Sequence, residues 1–94
     1  MWARVARFEG DPGNVEARIE RLRPVVESGG LPPELAGAKL LLLVDRASGG
    51  MLGVTLFDSE DAMRKGDEAM NAGPGHAGSR AAVEFYEVPL STGL

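Results

Sequence analysis

Apolar side chains fill the consecutive positions Leu40, Leu41, Leu42, Leu43 and Val44, the longest such run in the chain. A strand covered on one face alternates apolar with polar residues, so a run without alternation predicts a strand that needs cover on both. Three other segments read as strands. Trp2 to Glu9 puts Trp2, Ala6 and Phe8 on one face and Ala3 and Val5 on the other. Met51 to Asp58 sets Leu52, Val54 and Leu56 against Gly53, Thr55 and Phe57. Ala81 to Val88 is the last strand, stopped by Pro89, and the leucine run sits in a second strand from Ala38 to Asp45.

Between these segments the period changes. Val15, Ile19, Leu22 and Val26 recur at spacings of three and four with charged residues between them, which predicts an amphipathic helix capped by Asp11 or Asn14. Pro24 removes a backbone donor, so a kink or early end is expected there, and Ser28-Gly29-Gly30 stops the helix in any case. A second helix opens at Asp58 or Ser59, has Glu60 and Asp61 in its first turn, and carries Ala62, Met63, Ala69 and Met70 on its apolar side. Gly66 weakens it by about 1 kcal/mol relative to alanine. Arg46-Ala47-Ser48-Gly49-Gly50 supplies the positive φ of a tight hairpin. Residues 31–37 and the glycine-rich 71–79 read as loops.

The order is β-α-β-β-α-β in one domain, residues 1–90, with a short tail at 91–94. Right-handed crossovers place both helices on the same side of a four-stranded antiparallel sheet. The expected class is therefore α+β, ferredoxin-like, with one sheet face bare. Exposing that apolar face costs about 25 cal/mol per Å², and a second copy of the sheet is the available cover. The expectation is a homodimer closing as a dimeric α/β barrel.

Composition narrows the functional classes. The formal charge is −4, with ten basic residues scattered along the chain and no stripe of Lys and Arg, so there is no positive field for nucleic acid. No cysteine is present, which excludes thiol catalysis and thiolate metal sites. The leucine run is far shorter than the roughly 20 residues of a membrane span, so a cytoplasmic protein is expected.

Several segments carry a family resemblance: Met1-Trp2-Ala3-Arg4-Val5, Leu42-Leu43-Val44-Asp45-Arg46, the stretch from Leu52 through Phe57-Asp58-Ser59-Glu60-Asp61 to Met63, and Phe85-Tyr86-Glu87-Val88. Together they resemble the dimeric α/β-barrel superfamily, and within it the antibiotic biosynthesis monooxygenase-like proteins. These motifs define a fold more than a chemistry. The resemblance implies a cofactor-independent oxygenase or isomerase, or a ligand-sensing module. The haem-degrading branch uses an Asn on strand one and Trp and His on the second helix. This chain has none of these there, which argues against haem degradation by that route.

Candidate chemistry centres on a cavity between the two sheets of the expected dimer. Arg4 shares its strand face with Trp2 and Phe8, so a guanidinium among aromatics would hold a carboxylate, enolate or phenolate if that face looks inward. The bland alternative is an ion pair with Glu84 or Glu87. Thr55 beside Gly53 offers a hydrogen bond or is simply a good strand residue. Phe57 is barrel lining or core, and Tyr86 is a cavity donor or packing. His76 titrates near neutrality and reaches the cavity mouth, or is an exposed loop residue; it has no partners at metal-ligand spacing. Gly73-Pro74-Gly75-His76-Ala77-Gly78 matches G-x-G-x-x-G, but a helix precedes it and a strand follows, the reverse of a dinucleotide site. The expected ligand set is Trp2, Arg4, Thr55, Phe57, His76 and Tyr86, with no cofactor, no metal and a small aromatic or hydrophobic ligand. A non-catalytic or purely structural dimer is the alternative.

Overall fold

The computed structural model describes residues 1–27, 35, 37–72 and 80–93. Within them the elements are β1 (Trp2–Phe8), a 3-10 turn (Pro12–Asn14), α1 (Val15–Glu27), β2 (Lys39–Val44), β3 (Met51–Phe57), α2 (Glu60–Ala72) and β4 (Arg80–Glu87). Strand order is β2-β3-β1-β4, with every pairing antiparallel. The ferredoxin-like α+β fold expected from the residues is the fold observed. Residues 28–30, most of the 31–37 loop and the 73–79 loop, with His76, lie outside the described residues.

The local signals act as their chemistry suggests. Asp11 caps the 3-10 turn, its carboxylate accepting the Gly13 amide at 2.9 Å. The hydroxyl of Ser59 accepts the Ala62 amide at 3.1 Å, which settles the choice of cap for α2. The early end allowed for at Pro24 is not observed: α1 runs through it to Glu27. The missing donor falls near the helix end, and Arg23 beside it holds Glu20 at 3.2 Å and Glu27 at 3.1 Å, bridging the turns on either side. Pro24 leaves the Glu20 carbonyl without its helical donor, and only three helical residues follow it.

Register assigns the faces. Arg4 pairs with Thr55 across β1–β3 and with Phe85 across β1–β4, while Trp2 lies opposite Phe57. Both helices cover this face. The Arg18 guanidinium of α1 stands 5.7 Å over the Phe8 ring, and Asp67 of α2 bonds to Arg4. A core of Leu35, Phe57 and Met63, flanked by Trp2, Ala38, Ala62 and Met70, fills the space beneath α2. The predicted apolar stripe of α1 is buried only at its start: Val15 is fully enclosed, whereas Leu22 and Val26 are exposed.

The opposite face carries Ala3, Val5, Leu41, Leu43, Leu52, Val54 and Leu56, and no described helix lies over it. Leu41 and Leu43 are 47% and 48% exposed. The leucine run thus serves two surfaces, with Leu40 and Leu42 pointing toward the helices.

Two glycines permit close approaches. Gly49 has φ +81°, and a Cβ there would lie 2.4 Å from the carbonyl carbon of Asp11, so the β2–β3 hairpin abuts the segment after β1. A Cβ on Gly66 would lie 2.6 Å from ring carbons of Phe57 and 2.9 Å from Leu35 Cδ2. The helix-weakening glycine is therefore the point at which α2 rests on the core. Gly66→Ala should lower the urea unfolding midpoint, because overpacking of about 1–3 kcal/mol outweighs a helix-propensity gain of about 1 kcal/mol.

Candidate ligand site

Arg4 is the chemical centre of the covered face. Its position on β1 points it at α2, and it is only 4% exposed. Its Nε donates to Asp67 Oδ1 at 2.7 Å, and Nη1 donates to the Met70 thioether at 2.9 Å. Nη2 is buried without a hydrogen-bond partner. Asp67, 20% exposed, accepts from Asn71 Nδ2 at 3.3 Å with its other oxygen. Asp67, Met70 and Asn71 fall at helical spacings of three and four, so one side of α2 delivers all of them.

The arrangement is under-satisfied. A guanidinium has five N–H donors and no acceptor, and a thioether is a weak acceptor. One edge of Arg4 is neutralised by a carboxylate while the other has only sulfur and an empty direction. A buried donor without an acceptor costs about 1–3 kcal/mol. An oxygen acceptor, neutral or anionic, is what the Nη2 edge lacks.

The sequence-predicted residues divide between two faces. Trp2, Arg4, Thr55 and Phe57 lie together on the helix-covered face; Thr55 and Phe57 are buried, and Trp2 packs against the Phe57 cluster. The face of Arg4 is thus the one turned toward α2, away from any space between two sheets. Tyr86, opposite Ala3, is on the bare face. His76 lies outside the described residues. Of the two alternative partners expected for Arg4, Glu84 sits opposite Val5, on the bare face, and pairs with Arg7, while Glu87 sits opposite Trp2 on the face of Arg4 but is not bonded to it. Asp67 takes their place.

Arg7, Glu84 and Tyr86 form a second polar group. Glu84 accepts from Arg7 Nε and, at 2.8 Å, from the Tyr86 hydroxyl. The Arg7 bond, followed by that of Tyr86, holds the Glu84 carboxyl below its ordinary value, and the bond to Glu84 raises the Tyr86 phenol. An open cleft of about 400 Å³ adjoins this group at the hairpin end, lined by Arg7, Phe8, Leu43, Asp45, Gly50 and Leu52. Another of about 360 Å³ lies beside Asp11, Arg18 and Arg21. Neither reaches Arg4, and neither places an unsatisfied buried group against a ligand, so Arg4 is the stronger candidate.

Sequence reading missed Asp67, Met70, Asn71 and Phe85. The spacing of the first three was visible, but which side of α2 meets which strand residue is a tertiary fact. Phe85 flanks Arg4 on β4 and lies 5.4 Å beneath the Arg64 guanidinium.

No family model matches the chain, and no curated protein matches it in sequence. Among solved structures, a mutant of MhuD with two manganese protoporphyrin IX bound per active site superposes with a TM-score of 0.70. The match covers 99% of each chain at 19% identity. The two share the ferredoxin-like α+β fold.

Asp67→Ala leaves the buried guanidinium without its counter-charge. It should cost about 3 kcal/mol in chemical denaturation, the lower end for a broken buried pair because Asp67 is partly exposed. On the bare face, Tyr86→Phe should raise the Glu84 pKa, read by carboxyl NMR titration. Because that pKa is depressed in the folded protein, the stabilisation is present above the ordinary carboxylate range and lost as pH falls through the folded value.

Proposed function

We propose that the protein is a cytoplasmic homodimer that binds a small hydrophobic or aromatic molecule bearing an acidic oxygen, anchored by Arg4 beneath α2. The observation that carries the reading is the buried Nη2 of Arg4, without a hydrogen-bond partner among the described residues, on a sheet face shared with Trp2 and Phe57. A charge-assisted bond from that nitrogen to a carboxylate or phenolate would satisfy the group and select against neutral analogues. The Arg4 guanidinium lies beneath Asp67 and Met70, so entry of a ligand requires α2 to yield at those residues. The MhuD structure, with manganese protoporphyrin IX in its active site, supports the idea that this fold admits flat apolar molecules bearing carboxylates.

Dimerisation rests on the bare face. Leu41 and Leu43, about half exposed beside Val5, Leu52 and Val54, form an apolar sheet surface that a second copy would cover. The Arg7–Glu84–Tyr86 group lies toward the β4 edge of the same face and offers polar contacts there. No described helix is long and apolar enough to cross a membrane.

An enzymatic role is the second reading. A guanidinium that stabilises an enolate or phenolate is what a cofactor-independent monooxygenase or isomerase of this architecture would use. It would appear as turnover of a bound phenol or enolisable ketone that Arg4→Lys abolishes.

Trp2 is the sole tryptophan and lies two residues from Arg4, so its fluorescence reports on the site. 2-Naphthoate should quench it saturably, 2-naphthylmethanol should bind at least tenfold more weakly, and Arg4→Lys should erase the difference. Equal binding of the two probes would sink the anchor. In sedimentation velocity the protein should run as a dimer and Leu43→Glu as a folded monomer; a monomeric parent protein would remove the dimer.

A further inference from the structure

Met70 differs from the other methionines in its surroundings. Met63 is buried in the apolar core, Met51 is buried beside the hairpin cleft, and Met1 is at the exposed terminus, whereas Met70 is half-buried with its sulfur 2.9 Å from Arg4 Nη1. Next to that nitrogen is Nη2, buried and without any partner. A weak acceptor and an unfilled donor direction thus lie side by side on one cation.

We propose that Met70 is a site of reversible oxidation whose sulfoxide oxygen is captured by Arg4. A hydroperoxide supplies the oxygen. The Sδ lone pair attacks the terminal peroxide oxygen, the O–O bond breaks as the S–O bond forms, and the proton on the transferred oxygen passes to the departing oxygen. Sulfur is oxidised by two electrons, and the peroxide is reduced to an alcohol or, from hydrogen peroxide, to water. A dithiol reductant reverses the change, leaving as a disulfide with the oxygen released as water. The chain has no cysteine, so that reductant is external.

Oxidising a methionine ordinarily places a polar group in apolar packing and destabilises the fold. Here the sign reverses. The new oxygen is a strong, dipolar acceptor bonded to a sulfur already within reach of the guanidinium, so it replaces an N–H···S contact with a charge-assisted N–H···O bond. The donors that take it belong to the edge of Arg4 that the proposed ligand would use, so oxidation and ligand compete. The oxidation itself needs no ligand and stands or falls independently of that reading.

The experiment is graded hydrogen peroxide treatment of the intact protein, with peptide mapping of Met1, Met51, Met63 and Met70 and a melting curve at each dose. The expected result is that Met70 gains one oxygen before Met51 and Met63, and that the melting temperature stays level or rises as it does so. A melting temperature that falls in step with Met70 oxidation overturns the proposal, as does a Met70 that resists while Met51 or Met63 is oxidised. Two variants test the same point without oxidant. Met70→Gln sets an amide oxygen near the sulfoxide position and should melt above Met70→Leu, which is similar in size but offers no acceptor; the reverse order overturns it.

Discussion

A four-stranded sheet has two faces, and the described helices cover only one of them. That imbalance organises the rest of the molecule. The covered face must accept two helices crossing it, so it carries the large core side chains and the only buried cation among the described residues, Arg4. The other face keeps aliphatic side chains, Leu41 and Leu43 among them, that no described helix covers. The consecutive leucines of β2 are the clearest product of this division, since alternate members of one run serve opposite surfaces.

On the covered face, Arg4 is costly to bury, and its neighbourhood meets that cost only in part. Asp67 neutralises the charge along one edge, whereas the other edge has sulfur and an unfilled direction. A structural role alone would be served as well by an apolar residue of similar volume, since replacing buried ion pairs by packed apolar groups is often neutral or favourable. Arg4 together with its incomplete set of acceptors is what separates this face from an ordinary helix-on-sheet core.

The fold was legible because each element carries its own period. The face assignments of β1 and β3, the hairpin glycines and the caps are local chemistry and were readable residue by residue. The early end expected at Pro24 did not occur, and the Arg23 bridges that span it are not visible in a propensity. The site was only half legible. Arg4 stood out as a cation among aromatics, but its partner could not be named, since the pairing of a β1 residue with Asp67 depends on how α2 is rotated over the sheet. That rotation is fixed by Gly66 resting against Phe57, a contact to which helix propensity is blind. Tyr86 was grouped with Arg4 because strand parity alone does not align separate strands; the β1–β4 register, with its irregularity between Arg7 and Phe8, does.

The meeting of Gly49 with the backbone at Asp11 also bears on how the molecule can move. With no side chain between them, the hairpin tip and the start of the first crossover are wedged together like two stones in a dry wall, and neither can swing without the other. The end of the sheet that they share is therefore a stiff abutment. Any breathing at that end has to carry the hairpin and the crossover together, as one bound edge of a book.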